Sequence, residues 1–445
     1  MNATFDFPSE VSFIIKSLED YGFDTYLVGG CVRDILSGRT AHDYDITTNA
    51  RPNQIIEAFK NFNVIPTGIK HGTVTVLIGN FSAEITTFRT DGSYSDSRHP
   101  DSVRFSDSIY DDLSRRDFTI NSIAMPLNGN IIDPFCGLDD IKNKILRCTG
   151  NPQKRFSEDA LRILRCIRFS SELGFSVEPQ TSDALVQQSE LLQSVSAERI
   201  HSELDRLICG ENCFDVLMKY YCIIAQFIPE ISPCIGFDQH SPYHKYNVWE
   251  HTVRAVNAAP HDKIVRLALL LHDIAKPVTF KADSNGRGHF KGHAEKGSLM
   301  AHDILKRLKY DNSTISNITS LIFYHSSKIH SDYDIKHMLS LLGQKQFFRL
   351  MDVMHSDNCA KQDFVLSEAA EILQLSERAD KLIENNCCIC LSQLDINGSD
   401  ILSLGAKPTS VGKILHQLLD LVMSDCLENQ KQSLSDKAQQ IIYEI

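Results

Sequence analysis

No apolar run in these 445 residues reaches the roughly 18 needed to span a membrane, which excludes a helical membrane protein. The opening MNATFDFPSE is acidic and polar, and lacks the basic and apolar regions of a secretory signal. Paired Cys-x-x-Cys ladders are missing too. The 13 cysteines are scattered, with Cys387-Cys388-x-Cys390 as their one cluster, so neither a structural zinc nor a disulfide framework is expected. Reduced, packed thiols in a cytoplasmic protein are the reading this leaves. Positive charge is also in short supply: the net charge of −12 weighs weakly against nucleic acid as a partner. It does not forbid a local basic groove, because Arg and Lys cluster between residues 144 and 206. Internal repeats and low-complexity tracts are absent, and 42% hydrophobic with 23% charged residues is the balance of a soluble globular protein.

A chain this long outgrows one ordinary core and predicts roughly two to four domains. Short β-rich runs alternate with turns over 1–150, with strands at Thr25–Val28, Tyr44–Thr47, Thr73–Ile78 and Ala83–Thr87, and Asn121–Met125 extending the unit. From Arg155 onward strand signals fade and helical periodicity takes over. Helices are expected at Arg155–Leu173, Ser196–Ile208, Val248–Ala259, Lys263–Ile274 and Ser298–Leu308, with Ser157 and Ser196 as N-caps. Pro233, Pro242 and Asn285-Gly-Arg-Gly288 mark breaks between helical blocks. The class is therefore α+β, with the strands confined to the first third.

The run LVGGCVRDILSGRTAHDYDITT joins an apolar strand, a Gly29-Gly30 turn, a short helix and an Asp-x-Asp strand. Asp43 and Asp45, two apart on a strand, point to one face and can converge on a hard cation. Mg²⁺ bound by one or two carboxylates completes its shell with water and substrate phosphate. Gly30 and its neighbour let backbone N–H groups approach those phosphates, with Arg33 as a fixed cation beside them. This is equipment for transferring a nucleotide. The run resembles the polymerase-beta-like nucleotidyltransferases, and within them the class II tRNA nucleotidyltransferase and bacterial poly(A) polymerase family. It departs from that family's GGxVRDxLLGxxxxDxD pattern only at Ser37, where Leu is usual, a change that touches packing rather than chemistry.

The resemblance continues downstream. In SAEITTFRTDG, Glu84 lies on a further strand, either as a third acidic neighbour or as an ordinary edge carboxylate. The polar stretch DGSYSDSRHPDSVRF, over Asp91–Val103, reads as a mobile loop. In the family a flexible loop here serves addition of the terminal adenosine. DDLSRRDFTINSIAM resembles the second motif: Arg116 is the triphosphate contact, with Arg115 as its alternate, and Asp117 and Asn121 orient ribose or backbone. Asp133 and Gly137 resemble the third, which joins the catalytic head to the neck. In SEDALRILRCIRFSSELGF, Asp159 and Arg162 are three apart on one helix, Arg165 and Arg168 continue the stripe, and Leu161, Leu164 and Ile167 form the apolar one. This matches the family's EDxxR motif, a protein template for the incoming base. A carboxylate accepts from the exocyclic amine of C or A and a guanidinium donates to the adjacent ring nitrogen, an order that U and G reverse. Arg165 and Arg168 then reach phosphate or ribose. SAERIHSEL resembles the following neck motif, with a structural role.

A second set lies in the helical middle. His251, His272-Asp273 and Asp357 follow the H…HD…D order of HD-domain phosphohydrolases, with His293 and His325 between them as in members with two metals. Imidazole with carboxylate favours a divalent transition metal over Mg²⁺. Lys276 contacts a phosphate or caps its helix. The resemblance implies hydrolysis of cyclic phosphates, phosphomonoesters or nucleotides, and the alternative is a metal kept for stability alone. The tail from Leu391, with an Asn-Gly turn and a strongly apolar helical stripe, resembles the C-terminal segment of bacterial class II enzymes.

The expected organisation is a nucleotidyltransferase head over 1–150, an all-helical base-selecting and RNA-binding neck over 151–210, an HD-type body over 211–375 and a tRNA-binding or packing tail over 376–445. The leading expectation is template-independent addition of CCA to a tRNA 3′ end from CTP and ATP. Poly(A) polymerase or A-adding activity stays open, as does an HD phosphohydrolase whose head only docks RNA. A regulatory protein with a dead head is disfavoured by the intact Asp43, Asp45, Arg33, Asp159 and Arg162. Oligomeric state is not legible.

Overall fold

In the computed structural model, which describes residues 7–41, 43–92, 103–241, 245–361 and 366–444, β-branched segments such as TVTVLI form the strands that position the first site. The strands are β1 (Thr25–Val28), β2 (Asp45–Thr48), β3 (Asn63–Ile65), β4 (Thr73–Ile78), β5 (Phe81–Thr87), β6 (Arg89–Asp91), β7 (Val103–Phe105) and β8 (Ala124–Met125). Six of them make one sheet in the order β3-β4-β5-β2-β1-β8, and β6 pairs with β7 as a separate ribbon. β2 and β5 run parallel, while β1 runs antiparallel to β2. Alternate residues Val74, Val76, Ala83 and Ile85 are buried, and the Ser9–Asp20 helix contributes Val11, Ile14, Ile15 and Leu18, the spacing of a helix with one apolar face.

β1 and β4 have the expected bounds. β2 begins one residue later than expected and β5 starts at Phe81 rather than Ala83. β3, only three residues and led by Asn, gave no alternation to read. Asn121–Met125 divides into the end of a 3-10 turn, Thr119–Asn121, and β8. The segment expected as a loop is paired at its ends, Asp91 opposite Val103, and its residues 93–102 lie outside the described residues.

The long helix expected at Arg155–Leu173 is two helices, Pro152–Glu158 and Leu161–Leu173. Between them Asp159 has an extended backbone, φ −140° and ψ 105°. Asn151, not Ser157, caps the first: its side chain accepts from the Lys154 N–H at 2.9 Å, and Pro152 takes the first helical position, where a missing N–H costs nothing. Ser196 does stand at the N-cap of Ala197–Ile208, but without a side-chain bond. Leu161, Leu164 and Ile167 are buried as expected. Strand signal also outlasts Arg155, because Ile145–Leu146 pairs with Ser176–Val177.

The chain divides into two compact units, the first ending at Pro229 and the second beginning at Glu230. In the second, every residue of Lys263–Leu271 from Ile264 onward is buried. This helix packs against Val248–Ala258, Asn312–Tyr324 and Gln344–Cys359. A helix buried on every side belongs at the centre of a bundle, and its one buried cation, Arg266, donates to the Ala259 and Pro260 carbonyls. It stops at Leu271, three residues short of the expectation, and His293–Arg307 starts five residues before the expected Ser298. The Asn285–Gly288 break closes a small hairpin, Lys281–Ala282 with Gly288–His289. Asn397 caps Gly398–Ser403, and the Val411–Met423 helix buries Ile414, Leu418, Leu419 and Val422 against Leu434, Ala438 and Ile441. Among the described residues no two cysteines form a disulfide, and no helix is long and apolar enough to cross a membrane.

Candidate active site and metal centre

The antiparallel register of β1 and β2 sets Val28 opposite Asp45, so the chain leaves β1 through Gly29-Gly30 directly beside that carboxylate. Gly29 has φ +77°, and a Cβ there would lie 3.2 Å from both Asp45 Oδ2 and Arg116 Nη1. Only glycine permits this backbone and this approach together. Asp43 sits in the bend before β2 rather than on the strand, so the shared-face argument fails for it. Both aspartates nevertheless line one cavity of about 390 Å³. Desolvation by the surrounding protein raises the Asp45 pKa, Arg116 pulls it down and Asp43 pushes it further up. Glu84 pairs with Asp45 across β2 and β5 but is not among the cavity's lining residues.

Guanidinium groups form most of the remaining polar wall: Arg33, Arg116, Arg165, Arg168 and Arg206 line the cavity with Gly30, Asp117 and Asn121. Each is aimed by a fixed acceptor. Arg33 is buried, donates to Asn121 Oδ1 at 3.0 Å, forks onto Asp34 and lies over the Phe169 ring. Asp112 holds both adjacent arginines, in different ways. It is fully buried and receives a fork from Arg115 on Oδ1 and a single bond from Arg116 on Oδ2 at 3.0 Å, and only Arg116 lines the cavity. Burial would raise the Asp112 pKa, but Arg116 and Arg115 hold it low. Asp117, in turn, receives the Arg165 fork at 2.9 and 2.7 Å. Against its burial, Arg165 and the Asn121 amide hold its pKa at about 2. Arg168 is buried between Glu203, 2.5 Å away, and Glu172, 2.8 Å away. Sequence reading missed Asp112, Glu203 and Arg206. The i,i+3 and i,i+4 spacing from Asp112 to Arg115 and Arg116 was the available signal for the first.

Asp159 and Arg162 do not share a helical face, because Asp159 precedes the helix that carries Arg162. Asp159 Oδ1 accepts from the Leu161 N–H at 3.1 Å, and Arg199 Nη2 donates to both carboxylate oxygens at 3.0 and 3.3 Å. Arg162 Nη1 donates to Glu158 at 2.9 Å, and its Nη2 donates to the Arg115 carbonyl at 3.1 Å. Neither lines the cavity over Asp45. Asp133 accepts the N–H groups of Gly137 and Leu138 and so starts the next helix.

In the second unit His272, at the end of the buried Lys263–Leu271 helix, gathers the other expected ligands. His251 Nε2 lies 2.8 Å from Asp357 Oδ1 and 3.4 Å from Asp273 Oδ2, and His272 Nε2 lies 3.1 Å from Asp273 Oδ2 and 3.4 Å from Asp357 Oδ1. Beside them His293 Nε2 meets His325 Nε2 at 3.2 Å and Asp273 Oδ1 at 3.7 Å. These are two groups able to hold a cation, His251-His272-Asp273-Asp357 and Asp273-His293-His325, with Asp273 common to both. In all four imidazoles Nδ1 donates to a backbone carbonyl, of Ala360, Leu269, Phe290 and Ile322 respectively. That fixes each ring and points Nε2 inward, the arrangement that orients metal-bound histidine. His272 Nε2 and Asp273 Oδ1 are buried without a well-formed hydrogen bond. The residues therefore fit a divalent cation.

Burial would lower the His272 pKa, yet Asp273 and Asp357 raise it to about 10, while burial and His272 lower His325 to about 3. Lys276, expected to contact phosphate or cap a helix, binds Asp273 Oδ2 at 2.7 Å and Gln239 at 2.8 Å. Lys361, not foreseen, binds Asp357 Oδ2 at 2.7 Å. A cavity of about 1350 Å³ opens on this cluster, lined by Lys276, Arg287, Lys291, Lys328 and Lys361 among others. Cys387 and Cys388 are half-buried in the tail, away from both groups.

Comparison with known proteins places both units. Residues 25–147 match the poly A polymerase head domain, 174–235 the probable RNA and SrmB-binding site of polymerase A, and 243–362 the HD domain. The chain is 51% identical to the CCA-adding enzyme of Lactobacillus helveticus over 432 residues, 94% of this chain and 93% of that protein. It is 32% identical to the CCA-adding enzyme of Oceanobacillus iheyensis over 437 residues, 96% of each. Its structure is similar to that of the Bacillus stearothermophilus CCA-adding enzyme in complex with CTP, with TM-score 0.72, 28% identity and coverage of 98% and 97%. The Thermotoga maritima CCA-adding enzyme, at 18% identity and TM-score 0.63 over 98% of this chain and 97% of that one, shares the fold. With a head that gathers carboxylates and guanidiniums around one cavity and a relative half identical along nearly its whole length, this chain belongs to the family of CCA-adding enzymes, nucleotidyltransferases that here carry an HD domain.

Proposed function

We propose that this protein builds or repairs the CCA end of tRNA without a nucleic-acid template, using CTP and ATP and releasing pyrophosphate. The observation that carries the reading is the cavity in which Asp43 and Asp45 face five arginine side chains. An RNA 3′-hydroxyl gives up its proton to water as its oxygen bonds to the α-phosphorus, the α–β bridging P–O bond breaks, and pyrophosphate leaves. Arg116 and Arg33, each steadied by an acceptor, hold the triphosphate, while Arg165 and Arg168 contact phosphate or ribose. Asp43 and Asp45 hold Mg²⁺, which when bound supplies Lewis-acid charge at the reacting phosphate. Gly29-Gly30 brings backbone close to the phosphates. Asp159 accepts from the exocyclic amine of C or A, and Arg162 donates to the ring nitrogen. The family motif supports this pair, and the Arg162 bond to the Arg115 carbonyl keeps it adjacent to Arg116. We assign 1–150 to the head, 151–210 to the neck, 211–375 to the body and 376–445 to a tail that meets tRNA or packs. A cytoplasmic setting is supported by the bacterial relatives.

The test is tRNA ending before CCA, given CTP, ATP or both. The reading expects two cytidines from CTP alone and a product three nucleotides longer from both. Long A tails would establish a poly(A) polymerase instead.

The histidine cluster favours a second activity, metal-dependent phosphohydrolysis in the body. His251, His272, Asp273 and Asp357 hold one divalent transition metal, and His293 and His325 with Asp273 hold another. Lys276 and Lys361 stand where a substrate phosphate would need countercharge. Replacing His272 and Asp273 separates the two roles: loss of phosphate-ester hydrolysis with unchanged melting supports catalysis, and unfolding supports a structural metal.

A further inference from the structure

Asp159 is a base-reading carboxylate that its own helix does not hold. It sits at an extended residue between two helices, outside the regular backbone of both. Two groups hold its carboxylate: the Leu161 N–H at the start of the second helix, on Oδ1, and Arg199 Nη2 on both oxygens. Arg199 comes from a different helix, Ala197–Ile208, which packs along Leu161–Leu173. That helix presents Arg199, Glu203 and Arg206 at i, i+4 and i+7, one face of an α-helix. Opposite them stand Asp159, then Arg165 with Arg168, then Glu172. The charges alternate in matching order, so the position of Asp159 is referred to the same helix that carries the partner of Arg168.

We propose that Arg199 is a positioning residue for base selection: it fixes which oxygen of Asp159 is presented to the incoming base. This rests on the reading of Asp159 and Arg162 as the base-selecting pair. A carboxylate offers about four lone-pair directions. The Leu161 N–H and the bifurcated Arg199 contact occupy directions on both oxygens, and what remains is a defined acceptor for one amine hydrogen. Uracil brings a carbonyl to that place and is rejected because two acceptors face each other. Without Arg199 the carboxylate turns about its side-chain bonds and loses the direction, though not the charge. Discrimination should then fall more than transfer itself. Lysine at this position keeps a point charge but not the planar guanidinium.

The experiment measures kcat and KM for CTP, ATP and UTP on tRNA ending before CCA, with wild type, Arg199→Met, Arg199→Lys and Arg206→Met. The last removes the pair with Glu172 at the far end of the same face. The expected result is a CTP-to-UTP ratio of kcat/KM reduced at least about tenfold in Arg199→Met, since a base-reading site loses selectivity when its acceptor is no longer directed. Arg199→Lys falls between, with the melting temperature of wild type, and Arg206→Met lowers CTP and UTP use alike. A ratio unchanged within about twofold in both Arg199 variants, with activity either retained or uniformly reduced, overturns the proposal. So does an equal loss of selectivity in Arg206→Met. If Arg199→Met fails to fold, Arg199→Lys alone decides by the same ratio. Wild type that itself accepts UTP as well as CTP refutes the base-selecting pair, a failure distinct from that of Arg199.

Discussion

In the head, Asp43 and Asp45 open onto a cavity whose other polar groups are mainly guanidiniums; in the body, Asp273 and Asp357 are buried among four imidazoles. The difference lies in what completes each site. Two carboxylates are too few ligands to enclose a hard cation, so on the proposed function the head would depend on substrate phosphates, with its arginines bringing those phosphates in. The body supplies four ligands to one cation position and three to the other, with each histidine pinned through Nδ1 to a carbonyl. A pre-organised, nitrogen-rich cluster of this kind would hold a metal before substrate arrives. One site is assembled by its substrate and the other by its fold.

The largest break in this contrast comes from Asp45→Asn. Nucleotide transfer should drop by about 10³-fold or more, as for loss of a metal-bound transition-state charge, while metal content of the body by mass spectrometry stays unchanged. Next comes metal replacement. After chelation, Mg²⁺ alone should restore nucleotide incorporation, whereas phosphate-ester hydrolysis should need a transition metal such as Mn²⁺, Co²⁺ or Ni²⁺. Restoration of both activities by Mg²⁺ alone would erase the chemical distinction. Gly29→Ala has a smaller effect confined to the head. The positive-φ backbone of Gly29, φ 77° with ψ −138°, costs about 1–3 kcal/mol with a Cβ, and displacement of Asp45 and Arg116 should slow incorporation about tenfold.

The smallest effect is on acid stability. Asp117 titrates near 2 in the fold, below the ordinary value of about 3.9. Its folded pKa is depressed, so its contribution is full above about pH 4 and is lost as pH falls through about 2. It amounts to about 2 kcal/mol. Arg165→Met should therefore lower the melting temperature at pH 6 and lose that deficit towards pH 2, read by calorimetry of the whole chain.

Much of the head was legible because its logic is local. Gly29, Gly30, Asp43 and Asp45 lie within one strand-turn-helix-strand unit, and β1 appeared where expected. Asp43 was misplaced because two-residue alternation holds only within a strand, and β2 starts at Asp45. Asp159 was misplaced for a related reason: the periodicity of Leu161, Leu164 and Ile167 continues plausibly backwards, and nothing in SEDAL announces the extended residue that divides the helix. The histidine order foretold the body's cluster, since ligands on helix ends converge on a centre set by the most buried helix. Glu203 and Arg206 were illegible as site residues because their partners, Arg168 and Glu172, lie far away in sequence and leave no spacing to read, whereas Asp112 and Lys361 sit one helical turn from theirs and were overlooked. Charge was the weakest guide: a chain with net charge −12 still places five arginines around one cavity.

The central claim is that joining nucleotides belongs to the head and owes nothing to the histidine cluster. Wild type, Asp45→Ala and His272→Ala should be compared on one tRNA ending before CCA, with CTP, ATP and Mg²⁺, and the products sized on a gel. Wild type and His272→Ala should both stop at three added nucleotides, and Asp45→Ala should add none. Addition by Asp45→Ala, or its loss in a folded His272→Ala, would contradict the account.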